Sequence, residues 1–377
     1  MDYAIPFNKP FLSGNELDYV SQAVSGGDIS GDGEFSRRCS TLLESQFGIK
    51  KVLLTPSCTA ALEMSIMILG IGAGDEVIMP SFTFVSTANA VVRAGATPVF
   101  VDIDCCTLNI DPACIRTAIT ERTRAIIPVH YAGVGCDMDA IMAIAAEFNL
   151  QVIEDAAQGV NAFHHTQTLG AIGALGTYSF HQTKNFSCGE GGALCINDEA
   201  LIERAEIVRE KGTNRSQFLQ GTVDKYTWID VGSSYLPNEL TAAFLLGQLE
   251  AVDTITQQRR ECYQRYMKSF QGLAEAGKMT LPTIPDACRS NYHLFHILVP
   301  TPQQRQGLIS RLNEQGIQAV FHYVPLHCSP MGITLNSEQP ALPVTESCSE
   351  RLVRLPIYPG LTNEQQDRIM AEVQAFL

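Results

Sequence analysis

The chain reads as an α/β protein, with a mainly parallel sheet covered by helices on both faces and a smaller α+β domain behind it. Three observations carry that reading. Between about residues 50 and 200, short apolar runs alternate with longer amphipathic ones. The short runs are apolar almost throughout, as strands buried on both faces must be. A length of 377 residues is more than one compact core usually organises, so two domains are expected.

VLLT (52–55) predicts the first strand and CTAALEMSIMIL (58–69) the helix after it. EVIMP (76–80) then precedes the helical FVSTANAVVRAG (84–95), and PVFVDID (98–104) precedes DPACIRTAIT (111–120). RAIIPVH (124–130) is followed by DMDAIMAIAAEFN (137–149), with QVIEDAA (151–157), TYSFH (177–181) and ALCIN (193–197) closing the series. A long helix is predicted from about Asn238 through Arg260, leading out of the large domain. NYHLFHILVP, QQRQGLISRLNEQ, IQAVFHYVP and the terminal EQQDRIMAEVQAFL suggest the smaller domain. The division expected is 1–250 for the large domain with its N-terminal segment, and 251–377 for the small one.

Bulk properties exclude several classes. The net charge of −14 argues against nucleic acid and anionic membranes as main partners. The opening MDYAIPFNKPFLSG lacks the pattern of a signal peptide, and no run approaches the length of a membrane span. The 12 cysteines form no CxxC pair and show no zinc-ligand spacing, which suits reduced thiols in a cytoplasmic protein. His293 and His296 make an HxxH without an evident third ligand, so no metal is expected.

Lysine usage is the first pointer to chemistry. The only lysine between Val52 and Glu210 is Lys184, after the strand TYSFH and before the glycine-rich SCGEGG. Ligands of open α/β sheets bind beyond the carboxyl ends of strands, where Lys184 falls. A crowded lysine loses proton affinity, and its neutral amine can form a Schiff base. By its position alone the residue reads more readily as a solvated loop lysine. Asp155 ends the strand QVIED, where a carboxylate can pair with a protonated ring nitrogen or simply cap a helix. In TPSCTAAL (55–62), Thr59 and the amide of Ala60 stand at a helix start that could cradle a phosphate. Ser179 can add a hydroxyl to the same phosphate. Phe84 can supply a stacking face, although most such phenylalanines are core. A nicotinamide enzyme is the competing class, but LGIGAGD (69–75) lies at a helix end with the wrong spacing.

TPSCTAAL, GDEVIMPSFTFVSTANA, VIEDAAQ and YSFHQTKN followed by GEGG, in that order, resemble the DegT/DnrJ/EryC1/StrS family of sugar aminotransferases. The likeness runs from PFNKP to LPIYPGLT. It implies the pyridoxal-phosphate-dependent aspartate-aminotransferase fold (fold type I), as a homodimer with sites at the subunit interface. By the same resemblance Lys184 is the Schiff-base lysine and Asp155 the carboxylate on the pyridine nitrogen. Gln158 packs near the ring hydroxyl, Phe84 stacks, and Thr59, Ala60 and Ser179 hold the phosphate. His322, Tyr323 and His327, in FHYVPLH, lie near the substrate.

The segments REKGTNRSQF, VDKYTW and GSSYLPNEL are similar to a branch of that family serving the enterobacterial common antigen, a cell-surface polysaccharide. That implies transfer of an amino group from L-glutamate to C4 of dTDP-4-dehydro-6-deoxy-D-glucose. The products would be dTDP-4-amino-4,6-dideoxy-D-galactose and 2-oxoglutarate. One departure stands out. Many relatives read GYNYR where this chain reads GSSYL (232–236), so Ser234 replaces an asparagine that reaches the partner's cofactor phosphate. The remaining readings are amino transfer to another nucleotide-linked keto sugar, a sugar dehydratase, and a non-catalytic regulatory protein on the same fold. A dehydratase relative would carry histidine in place of Lys184, and the intact Lys184–Asp155 pair disfavours the regulator.

Overall fold

A computed structural model describes residues 3–335 and 341–377. The repeating pattern folds as the sequence suggests. In chain order the strands are β1 (Lys51–Thr55), β2 (Glu76–Pro80), β3 (Thr97–Val101), β4 (Thr123–Ile126), β5 (Gln151–Asp155), β6 (Phe163–His164), β7 (Gln167–Thr168), β8 (Leu175–Ser179) and β9 (Gly192–Ile196). Seven of them form one sheet in the order β1-β9-β8-β5-β4-β2-β3. Only β9 runs against its neighbours, pairing antiparallel with both β1 and β8. Every residue of β2, β8 and β9 is buried, which is the physical meaning of their continuous apolar sequence.

Alternation along the strands sends side chains into two layers. Leu53, Val77, Met79, Ile153, Leu175 and Leu194 pack with the helix Cys58–Ile68 on one face. Val52, Leu54, Tyr178, Ala193 and Cys195 pack on the other, against the helices Glu34–Phe47 and Glu239–Glu250. Ile78, Ile126 and Val152 extend that second face under the helix Met138–Phe148. Gly192 marks the tightest approach. A Cβ there would come within 2.4 Å of the Cys58 backbone nitrogen, so only glycine lets β9 pass under the start of that helix.

The later part of the chain has its own core. Strands β10 (Cys288–Arg289), β11 (Phe295–Leu298) and β12 (Leu352–Leu355) follow; β11 pairs antiparallel with β12, while β10 joins β6 and β7 in a small separate sheet. Tyr266, Phe270, Phe295, Ile297, Leu308, Val353 and Ile369 fill the space between β11–β12 and the helices Val252–Glu275, Pro302–Glu314 and Asn363–Phe376. Ile5 joins this core too, bonded through its backbone to Gly316 and Gln318, although it stands at the opposite end of the chain. The long helix expected from Asn238 to Arg260 is two helices, broken at Ala251 (φ −101°, ψ 13°). The first is buried in the large core; the second starts the small one. An alanine gives no local sign of the bend, which follows from packing on two different cores.

Candidate active site

The carboxyl ends of β5 and β8 set the site. Asp155 closes β5 and is 4% exposed. Its Oδ2 accepts a hydrogen bond from Thr87 Oγ1 (2.7 Å), and Thr87 lies 2.9 Å from Thr83 Oγ1. Its Oδ1 accepts from the Ala157 N–H at 3.2 Å, and the residues that follow form a turn, not a helix. Asp155 is therefore no helix cap. Thr87 sits in the first turns of the helix Val85–Arg93, so that helix fixes the carboxylate from outside its own strand.

Lys184 lies in the loop after β8, half-buried. Burial lowers its proton affinity, the Cys58 thiol and the Asp155 carboxylate oppose that, and the Arg354 guanidinium lowers it further. Cys58 cannot be the effective anion, because burial pushes its own thiol up to about 12 and it stays neutral. Asp155 is then the counter-charge for Lys184. An amine held this way is more easily neutral than an exposed one, as Schiff-base chemistry requires.

Around this pair the structure gathers most of the expected residues. The helix Cys58–Ile68 starts beside the helix of Phe84 and Ser86, with Thr59 Oγ1 2.7 Å from Ser86 Oγ. The Ala60 N–H donates to Ser57 Oγ at 3.1 Å, so Ser57 is the cap and the Ala60 amide is already engaged. The Cys58 and Thr59 amides, in the first turn, have no carbonyl within their own helix. Ser179 ends β8, buried, with Oγ accepting from the His181 N–H at 3.4 Å. Phe84 is 57% exposed, an aromatic face with little covering it, and its ring lies 6.5 Å from that of Tyr323. Gln158 is buried, accepts from the Ala132 N–H at 2.7 Å, and donates to Tyr323 Oη at 3.0 Å.

The segment 321–327 joins the site unevenly. His322 Nδ1 lies 3.0 Å from Tyr131 Oη, and Tyr323 meets Gln158. Burial, then the charges of Arg354 and Lys184, hold the His322 imidazole well below its ordinary value. Burial and Arg354 bring His296 to about 4. Both rings are thus neutral near pH 7. His327 is built in differently: it is buried, Nδ1 lies 2.6 Å from Ser81 Oγ, and Nε2 lies 3.2 Å from Glu346 Oε1. Both of its ring nitrogens hold local structure. Ser234 stands apart from all of these, exposed and bridged to Glu210.

Sequence reasoning passed over Thr87, Tyr131 and Arg354. Arg354 is the one charged residue in the strand LVRL, and its Nε and Nη2 donate to the Phe321 carbonyl at 3.2 and 2.9 Å. Among the described residues no carboxylate lies within ion-pair distance of it. A lone arginine in an apolar strand is the signal that could have flagged it. The donor set is self-consistent: an amine, a carboxylate whose charge reaches it, an open aromatic face, and hydroxyls with helix-start amides. It fits a phosphorylated pyridine aldehyde.

Residues 10–374 match the DegT/DnrJ/EryC1/StrS aminotransferase family. The chain is 37% identical over 318 residues to a pleiotropic regulatory protein of Geobacillus stearothermophilus, covering 84% of this chain and 82% of that one. It is 33% identical to the spore coat polysaccharide biosynthesis protein SpsC of Bacillus subtilis, covering 99% and 97%. Among solved structures it is similar to the PLP form of Spr1654, a putative sugar aminotransferase of Streptococcus pneumoniae. There the TM-score is 0.89 at 26% identity, with 100% of both chains covered.

Proposed function

Since the chain belongs to the DegT/DnrJ/EryC1/StrS aminotransferase family, we propose that it moves an amino group from L-glutamate to a nucleotide-linked keto sugar, with pyridoxal phosphate held at Lys184. The acceptor we favour is dTDP-4-dehydro-6-deoxy-D-glucose, aminated at C4. The observation that carries the reading is the Lys184–Asp155 arrangement, an amine of lowered proton affinity beside a carboxylate braced by Thr87.

Pyridoxal phosphate, when bound, supplies an electron sink and a temporary carrier for the amino group. Asp155 would hold the ring nitrogen protonated, and Thr87 keeps that carboxylate aimed. Phe84 would cover one ring face. Thr59, Ser179 and the first-turn amides of the helix Cys58–Ile68 would take the phosphate, and Gln158 would pack near the ring hydroxyl. The Lys184 amine would anchor the cofactor, then take a proton from the donor α-carbon and return one to the sugar carbon. Arg354, a cation without a carboxylate partner among the described residues, suits the donor's carboxylate. His322 and Tyr323 face the substrate as neutral hydrogen-bonding groups, whereas His327 serves to hold Ser81 and Glu346.

The segment around Ser234 supports a homodimer. Trp228 is 76% exposed, with Tyr226, Leu219, Ile229 and Val231 exposed beside it in sequence. Such surface is usually covered by a partner. Among the described residues, no helix is long and apolar enough to cross a membrane. The likeness to a regulatory protein makes a non-catalytic role the alternative, and the intact Lys184–Asp155 pair speaks for catalysis. Incubation with L-glutamate and a panel of nucleotide keto sugars, read by mass and NMR, decides. An aminated sugar together with 2-oxoglutarate supports amino transfer and identifies the acceptor. No product from any sugar would overturn it.

A further inference from the structure

Outside the residues of the active site, two imidazoles and a carboxylate converge. His164 and His165 are adjacent at the turn of the β6–β7 hairpin, and Asp139 lies in the first turn of the helix Met138–Phe148. Asp139 Oδ2 is 3.4 Å from His164 Nε2 and 3.0 Å from His165 Nε2, and the three ligand atoms all lie within 4.8 Å of one another. Donors bound to one tetrahedral zinc ion at about 2.0–2.2 Å stand roughly 3.3–3.5 Å apart, close to these separations.

A second observation points at an ion. His164 is 5% exposed, and its Nε2 has no hydrogen-bond partner among the described residues. Its other nitrogen, Nδ1, is 3.9 Å from Cys288 Sγ, while that thiol donates to the Gly135 carbonyl. Nε2 therefore faces the Asp139 oxygen at 3.4 Å, a gap in which an ion held by both would sit. Fixing the free nitrogen through a contact at the opposite nitrogen is how metal-binding histidines are commonly oriented.

We propose that Asp139, His164 and His165 bind one divalent ion of the zinc type, with water completing four ligands. Imidazole and carboxylate together suit zinc better than magnesium or calcium. The ion would tie the helix Met138–Phe148 to the β6–β7 hairpin, and through it to β10, which pairs with β6. Shortly after β10, Asn291 donates to the Gln158 and Val160 carbonyls at 2.8 and 2.7 Å, so the strap lies next to a segment that braces the active site.

The test is calorimetric titration of the cofactor-loaded protein with Zn²⁺, with Co²⁺ as a spectroscopic substitute. One ion per chain is expected, with a rise in melting temperature. Asp139→Ala alters an exposed residue, 72% by its side chain, and so leaves the fold in place. It should weaken binding at least about tenfold and abolish the thermal shift. His165→Ala should behave alike. Absence of binding to the wild type would overturn the proposal. Binding unchanged in both variants, or a cobalt spectrum showing thiolate ligands, would overturn it by placing the ion at some of the 12 cysteines.

Discussion

Asp155 is 4% exposed and held from two directions, by Thr87 and by the Ala157 amide. Ser234 is exposed and forms a backbone bridge to Glu210. One is placed by its own chain to within the freedom of a hydrogen bond. The other follows directly on a segment, from Phe218 to Val231, whose aromatic and aliphatic side chains stand in solvent. The comparison teaches where precision originates. The floor of the site is fixed by burial and by strand ends, so it forms in one chain. The exposed segment lies outside that internal network.

Removal of groups on the floor is therefore expected to hurt most. Lys184→Ala should lower turnover roughly 10⁴-fold or more, because one side chain is both anchor and proton carrier. A half-buried loop lysine adds little to the core, so the melting temperature without cofactor should stay nearly unchanged. Stopped assays and calorimetry on the same preparation check both parts. Asp155→Asn should cost about a hundredfold or more in kcat while cofactor stays bound, since an amide cannot hold the ring nitrogen protonated by charge. Near-normal kcat would mean that Asp155 only braces the turn after β5.

Arg354 lies between the two extremes, on β12 yet felt electrically at Lys184. Arg354→Gln should raise the KM for glutamate about tenfold or more, in line with a lost charged hydrogen bond. It should also move a pH profile. The guanidinium lowers the proton affinity of Lys184, so its removal raises that affinity. The neutral amine then appears at higher pH, and the pH of half-maximal cofactor loading should shift upward. An unchanged KM and an unshifted loading curve would separate Arg354 from the site.

How much of this was legible follows the same division. The strands from VLLT to ALCIN and the placement of Asp155 and Lys184 at strand ends could be read because apolar runs and a solitary lysine are local signals. The break at Ala251 and the brace from Thr87 could not, since each depends on which element packs nearby. Arg354 reaches the site from 170 residues beyond Lys184, by way of the β11–β12 pairing. His327 shows the limit of spacing arguments. It sits in the same short segment as His322, yet its ring is turned to Ser81 and Glu346.

On the exposed side the expected effects are small. Ser234→Ala should weaken cofactor binding by about 1 kcal/mol if a single hydrogen bond across subunits is lost. Sedimentation with and without cofactor should show the assembly strengthened when cofactor is present, because a ligand favours the state that binds it best. A fully active monomer would mean that the exposed segment has no part in the site.

Lys184 itself allows the most direct test. Pyridoxal phosphate is added to the purified chain, borohydride fixes the bond, and digestion with mass spectrometry finds the labelled residue. The label should sit on Lys184 in wild type and vanish in Lys184→Ala. Stoichiometric labelling of any of the other seven lysines, with Lys184 unmodified, would contradict the assignment.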